Sequence, residues 1–391
     1  MPWQEVRPMD QKIRFISDYL NDYFSFTELC FRFGISRKTG YKWVSRYMVS
    51  GSLNDLPRKP HTSPTQTPPE VVESLLKVRD RHPSWGPRKL LWRIEKDHPD
   101  WELPAYSTAA LILNRHGYIK AKRKKIKRSH PGQPITPITA PNEVWTADFK
   151  GHFKTRDGLY CYPLTIADGH SRYLFSCHGM LSPLQKDTKA VFKRLFREHG
   201  LPKRIRTDNG NPFASNAIGR ISRLSAWWIR LGILPELIEP GCPQQNGRHE
   251  RMHRTLKYET TIPPAANLKR QQNRFNRFQS IYNHERPHEA LEMRTPDEVY
   301  EKSDRQMPTK LPPVEYPGHY EIRKVSKNSG IRWNHRRVCV SQVLAGEYVG
   351  LEEIATGEWD MYYGPVWLGR FYEKTMQIMD QYGKFERKKM T

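Results

Sequence analysis

Cysteine is scarce in this sequence, and its few copies are arranged neither for cross-linking nor for metal binding. The 391-residue chain has five cysteines, at positions 30, 161, 177, 242 and 339, and no two of them form a C-x-x-C pair. This scatter argues against a disulfide framework and against a cysteine-based zinc site. We therefore expect a protein of a reducing compartment, the cytoplasm.

Long apolar runs are also missing, and acidic residues are too few to balance the basic ones. No apolar stretch approaches the ~18 residues of a membrane-spanning helix, so we expect no membrane partner. Lys and Arg number 65 against 41 Asp and Glu, which gives a formal net charge of +24. This excess indicates a polyanionic partner, and nucleic acid is favoured over an acidic membrane surface.

The N-terminal residues 1–58 contain a basic three-helix pattern. Helices are predicted over residues 10–20, 27–33 and 37–48, with Gly34 ending the second and Ser36 capping the third. A sharp turn before a basic helix is typical of a helix-turn-helix domain. A plain basic hairpin is the alternative, and Gly40 favours it because a glycine inside a helix costs about 1 kcal/mol relative to alanine. The predicted DNA contacts are Arg37, Lys38, Thr39, Lys42 and Arg46.

Residues 59–67 read as a linker, and residues 68–119 as a second, weaker helix-turn-helix domain. Thr67 and Glu70 form a capping-box pattern before the first of its three predicted helices. The other two are predicted over residues 86–95 and 107–116.

A basic and proline-rich linker follows at residues 120–141. Its segment KAKRKKIKR, residues 120–128, has seven Lys or Arg and no acid. We interpret it as a strap that follows DNA phosphates, while a solvated linker and a nuclear-localisation patch are the alternatives. The predicted contacts in this strap are Lys122, Arg123, Lys124 and Lys125.

Between residues 142 and 300 the pattern becomes mixed α/β, and three acids stand out. Asp148 lies in a predicted strand, Asp208 ends a later strand, and Glu250 lies in the first turn of a long helix. Mg²⁺ and Mn²⁺ prefer carboxylate oxygens, and two such ions ~3.5–4 Å apart can activate the attacking oxygen and stabilise the leaving one in phosphoryl transfer. Acids at strand ends are often only solvated. Whether these three bind metal must therefore be judged from the sequence motifs around them.

The three acids lie in W-T-A-D (145–148), T-D-N-G (207–210) and P-Q-Q-N-G-R-H-E-R (243–251), and N-H-E-R-P-H-E-A-L (283–291) follows. This series resembles the DDE core of retroviral-integrase-like transposases, in particular those of bacterial insertion sequences. The resemblance implies an RNase H-like fold in which Asp148, Asp208 and Glu250 bind two Mg²⁺ ions, with Mn²⁺ as a substitute. It also implies cleavage at transposon ends and attack of the 3′-hydroxyl on target DNA.

One feature departs from the family pattern. Asp208 and Glu250 are separated by 41 residues, which is more than is usual in the family. We expect residues 211–223 to absorb the excess as a surface loop or a longer helix.

Four further residues near Glu250 are predicted DNA contacts. His253, Arg254 and Lys257 follow Glu250 at helical spacings that place them on its face, which suits a DNA end entering the site. Charge pairing on a solvated helix is the alternative. Asn246 precedes this helix and either contacts a phosphate or serves only as a turn and cap. Trp145, in the strand of Asp148, is predicted to pack beside the site.

Residues 301–391 read as several short strands separated by turns. We expect a small C-terminal β-barrel, followed from residue 373 by a helical or disordered basic tail. The chain is thus predicted to combine two all-α helix-turn-helix domains, an α/β RNase H-like catalytic core and a β-barrel.

The predicted function is that of a DNA transposase, acting as a dimer or higher oligomer in the bacterial nucleoid. Its partners would be double-stranded DNA, both element ends and target, and copies of itself. A catalytically silent DNA-binding protein that keeps the fold is one alternative, and an RNase H-like nuclease without joining activity is the other.

Overall fold

The computed structural model of the chain describes residues 8–55, 66–119, 136–239, 241–380 and 383–384. The chain divides into two units, Met1–Gln66 and Thr67–Thr391. The predicted basic strap, with Lys122, Arg123, Lys124 and Lys125, lies outside the described residues. No described helix is both long enough and apolar enough to cross a bilayer.

The first unit contains three helices, α1 (Pro8–Leu20), α2 (Phe26–Arg32) and α3 (Arg37–Ser50). Ser25 and Glu28 form a capping box at the start of α2, and Ser36 caps α3 as predicted. The left-handed Gly34 allows the chain to turn between these two helices. A small apolar core holds the unit together and is formed by Phe15, Ile16, Leu29, Cys30, Trp43 and Val44.

Gly40 has a packing role that outweighs its low helix propensity. It is buried in α3, and a Cβ atom there would lie 2.7 Å from Cys30 Sγ and 2.9 Å from Phe26 Cζ. A side chain at this position would therefore push α3 away from α2. The two helices can pack this closely only because residue 40 is a glycine. Gly40 therefore does not argue against the helix-turn-helix prediction.

The second unit begins with another three-helix module, α4 (Pro69–Arg81), α5 (Pro87–Asp97) and α6 (Tyr106–Arg115). The predicted capping box of Thr67 and Glu70 is wrong. Pro68 occupies the cap position, no side chain caps the helix, and Pro69 begins it, because proline has no N–H to satisfy and already has a helical φ. The module's core contains Leu75, Trp85, Leu90, Ile94, Ala109 and Leu113.

The central domain is built on a mixed sheet, as predicted. Its elements are β1 (Val144–Phe149), β2 (Phe153–Lys154), β3 (Tyr160–Asp168), β4 (Leu174–Met180), α7 (Gln185–His199), β5 (Arg204–Thr207), α8 (Arg223–Arg230), β6 (Leu234–Leu237), α9 (Gly247–Thr260) and α10 (Leu268–Ser280). The sheet runs β4-β3-β1-β5-β6, and β2 pairs with the start of β3. β1 is antiparallel to β3 and parallel to β5, so β1 lies in the middle of the sheet.

Two different helical layers cover the sheet. Residues of α7 and α8, among them Phe192 and Trp228, form a core with Trp145 of β1, whereas Met252 of α9 and Phe275 of α10 belong to a second core. Side chains alternate between the faces of a strand. Trp145 precedes Asp148 by three positions and therefore lies on the opposite face, so the prediction that it packs beside the site is wrong.

Residues 211–223 do not form a surface loop or a longer helix. Ile218 and Ile221 are buried in an apolar cluster with Leu368 and other residues of the C-terminal region, and Ala226 and Ile229 of α8 join them. A Cβ atom on Gly219 would lie 3.2 Å from Leu368 Cδ2. The apolar residues of this segment thus attach the C-terminal region to the central domain.

The described residues of the C-terminal region, up to 380 and at 383–384, do not form a closed barrel. Its strands are β7 (Glu321–Lys324), β8 (Gly330–Trp333), β9 (Arg336–Cys339), β10 (Tyr348–Ala355), β11 (Glu358–Tyr363), β12 (Val366–Tyr372), β13 (Gln377–Asp380) and β14 (Gly383–Lys384). The sheet β14-β13-β12-β11-β10-β7 stays open, and β8 and β9 form a separate hairpin. Trp333 of the hairpin packs on Trp359 and Phe371, so side-chain packing covers the apolar face without edge-to-edge pairing. The tail predicted from residue 373 contains β13 where a helix or disorder was expected.

Candidate active site

Asp148 and Asp208 lie at the same end of two neighbouring parallel strands. Ala147 of β1 is paired with Thr207 of β5, and each aspartate is the next residue. The carboxyl ends of parallel strands meet at one edge of a sheet, so the pairing of β1 with β5 brings together the two acids that the family resemblance had grouped.

Glu250 reaches the same region from α9, in whose first turn it lies exposed. Burial, and then the negative charges of Asp208 and more weakly of Glu250, raise the pKa of Asp148 from 3.8 to about 7. Burial also raises the pKa of Asp208, although the Gly210 N–H donates to this carboxylate at 3.1 Å. The three predicted acids therefore share one region of negative charge, which the charge of Lys150 offsets only in part.

The donor set fits a hard divalent cation. All three side chains offer carboxylate oxygens, which Mg²⁺ prefers, and their mutual repulsion would be relieved by a bound cation. In the described part of the chain, however, no three His, Cys, Asp or Glu side chains stand close enough together to share an ion. The carboxylates must therefore draw closer when an ion binds, and the exposed Glu250 has the most freedom to move.

A buried polar network lies behind Asp148, and no motif in the sequence indicated it. Thr165, the β3 residue paired with Asp148, donates to the Asp148 carbonyl at 3.0 Å. Its hydroxyl also lies 2.7 Å from His249 Nε2 and 2.6 Å from His253 Nε2. His249 Nδ1 lies 2.8 Å from the Thr146 hydroxyl, so two histidines of α9 are bonded to two strands of the sheet.

His253 therefore does not face DNA, contrary to the prediction. Its ring is buried, and Nδ1 lies 3.6 Å from Asp148 Oδ2, which is a close contact and not a hydrogen bond. Burial lowers the pKa of His253 far below its ordinary value and that of His249 to about 3, so both rings are neutral. His253 thus forms a fixed wall beside the carboxyl group, because the apolar side of α9 packs on β1 and β3.

The other residues predicted near Glu250 have different surroundings. Arg254 and Lys257 are exposed on α9, as a DNA-contacting role requires. Asn246 is buried, and its Oδ1 has no hydrogen-bond partner among the described residues, so it does not present its side chain to the surface. Asp168, which the sequence placed in a hairpin turn, accepts hydrogen bonds from Asn142, His170 and Ser171 and is structural.

The predicted DNA contacts on α3 differ in how far their side chains are exposed and free of other bonds. Arg37, Lys38 and Lys42 are exposed. Thr39 is half-buried, and its hydroxyl lies 2.9 Å from that of Ser36. Arg46 donates to the Asn54 carbonyl at 3.2 Å and lies over the Trp43 ring, so part of its bonding capacity serves the fold.

These features define a protein with helix-turn-helix units joined to a mixed-sheet domain that carries clustered acids. Residues 138–243 and 231–296 match families described as integrase core domains. Residues 11–61 match a helix-turn-helix domain family, and residues 39–113 match a homeodomain-like family. The central domain of the chain is thus similar to integrase core domains, and the chain as a whole is similar to proteins of bacterial insertion elements.

Three relatives illustrate the range of the similarity. The chain is 30% identical over 173 residues to the insertion element IS407 uncharacterized 31.7 kDa protein of Burkholderia multivorans, covering 42% of this chain and 57% of that protein. It is 25% identical over 289 residues to the insertion element IS476 uncharacterized 39.2 kDa protein of Xanthomonas euvesicatoria, covering 69% and 70%. It is 28% identical over 192 residues to the Gag-Pol polyprotein of baboon endogenous virus, covering 48% of this chain and 10% of the polyprotein. The chain thus spans little more than half of the first relative.

Proposed function

We propose that this protein is a DNA transposase that binds the terminal inverted repeats of its element, cleaves at the ends and joins the 3′-hydroxyl to target DNA by two-metal phosphoryl transfer. The observation that carries the proposal is the adjacency of Asp148 and Asp208 on β1 and β5, with the charge of Glu250 acting on Asp148. The similarity of residues 138–296 to integrase core domains supports a phosphoryl-transfer role for these acids.

In this proposal Asp148, Asp208 and Glu250 hold two Mg²⁺ ions. Bound there, the ions would polarise the attacking water or 3′-hydroxyl and stabilise the leaving oxygen. The chain's own task is to keep the carboxylates in place. Thr165 and His253 do so from behind Asp148, and the Gly210 N–H holds Asp208.

DNA recognition would fall to the helix-turn-helix units and to cations beside the site. Arg37, Lys38 and Lys42 at the start of α3 are exposed, and the N-terminal part of a recognition helix is what enters the major groove. Arg254 and Lys257 would contact phosphates near Glu250. Because two element ends are joined in one reaction, the active form would be a dimer or a higher oligomer on DNA.

Strand transfer tests the proposal directly. Labelled duplexes with the terminal repeats that flank the gene would be incubated with target DNA in Mg²⁺ or EDTA, with Mn²⁺ as a second metal. We expect joined products only with metal and wild type, and none with Glu250→Gln. Glu198→Gln, which neutralises an exposed acid of α7 on the other side of the sheet, is the matched control and should remain active.

The products separate the two alternatives. Full strand transfer by Glu250→Gln would refute the assigned mechanism. DNA binding without cleavage at any metal concentration would identify a catalytically silent DNA-binding protein. Cleaved but never joined strands would identify a nuclease.

A further inference from the structure

A second charged cluster lies where the α4–α6 module meets the central domain. We call it the Arg172 cluster; it consists of Lys89 on α5, Arg172 between β3 and β4, Arg248 and Arg251 in the first turns of α9, and Arg286 after α10. The module is anchored beside it, because Arg286 Nη1 lies 3.1 Å from both Ser84 Oγ and Glu259 Oε1. The charges of these five cations, from four parts of the chain, act on one another: beyond the effect of burial, Arg286 and Arg172 lower the pKa of Lys89, and Arg248 and Arg251 lower that of Arg172.

Their charges are poorly compensated. Arg286, paired with Glu259, is the one member in an ion pair within the part of the chain that the structure describes. Glu289 is near Lys89 but pairs with Arg88 at 3.5 Å. Asp168 already accepts four hydrogen bonds from the turn that it closes. Burial, and then the charge of Arg286, lower the pKa of Lys89 to about 8.

Arg172 is the clearest sign of a missing ligand. Its Nε is buried and has no hydrogen-bond acceptor among the described residues, although a buried guanidinium donor is normally satisfied. Burial lowers its pKa, and the charges of Arg248 and Arg251 lower it further. Arg172 and Arg248 also line a cavity of about 20 Å³, whose wall includes the Asp168 carboxylate that is already bonded to its own turn.

We propose that the Arg172 cluster binds a phosphodiester group of the DNA on which the enzyme acts. Guanidinium groups match phosphate oxygens in charge and in geometry, and a phosphate would supply both the missing acceptor and the missing negative charge. This inference rests on the proposed function.

The position of the cluster indicates which DNA it holds. Arg248 and Arg251 belong to the same first turns of α9 as Glu250, although residues one or two positions apart on a helix project from different faces. Lys89 belongs to the α4–α6 module, which was predicted to bind DNA. The cluster would therefore hold the strand between the part read by this module and the part that is cut.

The test measures the salt dependence of duplex binding by the full-length protein. The variants Arg172→Gln and Lys89→Gln each remove one charge. Residue 172 has a left-handed backbone conformation, and Gln, like Arg, is an unbranched non-glycine residue, so the backbone strain there should not change. Arg197→Gln, on the exposed side of α7, is the control of equal charge change. A generic duplex of about 40 base pairs is the probe, since phosphate contacts do not depend on sequence.

We expect Arg172→Gln and Lys89→Gln each to weaken binding by about fivefold or more at 0.15 M salt and to flatten the slope of log K against log salt by about 0.9, the value for one phosphate contact. Arg197→Gln should leave the slope unchanged. The melting temperatures of the DNA-free variants should not fall, because a like charge has been removed. In a separate arm, inorganic phosphate should raise the melting temperature of wild type, but not of Arg172→Gln, relative to chloride at equal ionic strength.

The outcomes separate this inference from the proposed function. If wild type binds duplex but the slopes of the two cluster variants match that of Arg197→Gln, the inference is overturned and the proposed function stands. Phosphate stabilisation with unchanged duplex slopes overturns it as well, since the site would then accept only the free anion. If the slopes flatten but strand transfer is absent, the inference stands and the proposed function fails. A loss of stability in both cluster variants would make the cluster structural and would overturn the inference.

Discussion

Replacing Asp148 by asparagine is expected to stabilise the protein when neither metal nor DNA is present. The Asp148 side chain is only 20% exposed. It lies beside Asp208, and among the described residues no Lys or Arg forms an ion pair with it, although the charge of Lys150 acts on it. Burial and this repulsion disfavour its charged form, whereas the unfolded chain exposes it to water. An asparagine side chain at this position would keep the shape and remove the charge.

The size of the effect follows from the two pKa values. Asp148 has a pKa of about 7 in the folded chain and 3.8 as the ordinary value. Between these values the folded chain binds more protons than the unfolded chain, so stability falls as the pH rises. Each pKa unit is worth about 1.4 kcal/mol, so Asp148 costs about 4 kcal/mol at pH 8 but less than about 1 kcal/mol at pH 4.

Hydrogen exchange of peptides covering β1 and β5 measures this effect in the central domain alone. In EDTA at pH 8, and after correction for intrinsic rates, Asp148→Asn should slow their exchange by about a thousandfold at the upper limit, which corresponds to about 4 kcal/mol. At pH 4 the difference should shrink to less than about fivefold. Asp100→Asn, at an exposed position in the α4–α6 module, is the control for loss of a carboxylate.

Two results would refute this reasoning. If Asp148→Asn is no more stable than Asp100→Asn at pH 8, the buried charge of Asp148 is compensated in the free protein. A gain of the same size at pH 4 and pH 8 would show that packing, and not ionisation, is responsible. Added Mg²⁺ should stabilise wild type more than Asp148→Asn, since a ligand bound only by the folded state stabilises it by mass action.

Three further changes have defined outcomes. Gly40→Ala should lower the stability of the N-terminal unit by about 1 kcal/mol in thermal unfolding, because overpacking of about 1–3 kcal/mol exceeds the gain in helix propensity of about 1 kcal/mol. Adding Cys30→Ala removes the Sγ atom that would lie 2.7 Å from the new Cβ, so it should restore most of the lost stability. If no stability is recovered, the steric explanation is contradicted. His253→Phe should raise the Mg²⁺ concentration needed for half-maximal strand transfer by about 10–100-fold without changing DNA affinity, whereas an unchanged metal requirement would mean that the ring does not position Asp148. Ile218→Ala should cost about 2–5 kcal/mol and expose the C-terminal region to limited proteolysis, and an unchanged digestion pattern would show that this segment is not its anchor.

Local sequence signals were sufficient to assign each aspartate to a strand or its end. Asp148 lies in the strand 144–149, and Asp208 follows a short strand and begins the T-D-N-G turn, patterns that can be read within about ten residues. That the two strands are parallel neighbours cannot be read locally, and only the family resemblance of the motifs implied that the acids act together. The contact of Thr165 with His253 could not be predicted in the same way. It depends on the register of β3 against β1 and on which side of α9 packs on the sheet, and both are settled by tertiary packing. Two histidines four residues apart around Glu250 were the one available signal, and helical periodicity assigned His253 to the wrong face.

The larger errors have the same physical origin. Closure of a β-barrel depends on pairing between strands at opposite ends of the region, so strand patterns alone cannot establish it. Residues 211–223 contain Ile218 and Ile221 among polar residues, which reads as a loop until a partner surface is known. Gly40 shows the reverse case, in which a residue unfavourable for the local helix is required by the neighbouring helix.

The two charged regions of the central domain are coupled through α9. Glu250 belongs to the acidic region, and its neighbours Arg248 and Arg251 belong to the Arg172 cluster. Divalent ions on the acids would raise the positive potential that attracts phosphate, and a bound phosphate would supply negative charge that attracts the ions. If both ligands bind as proposed, thermodynamic linkage requires that Mg²⁺ tighten DNA binding by the same factor by which DNA tightens Mg²⁺ binding. Either ligand alone would relieve the repulsion within only one of the two charged regions. Both regions destabilise the free protein, and only the complex with metal and DNA would relieve both repulsions.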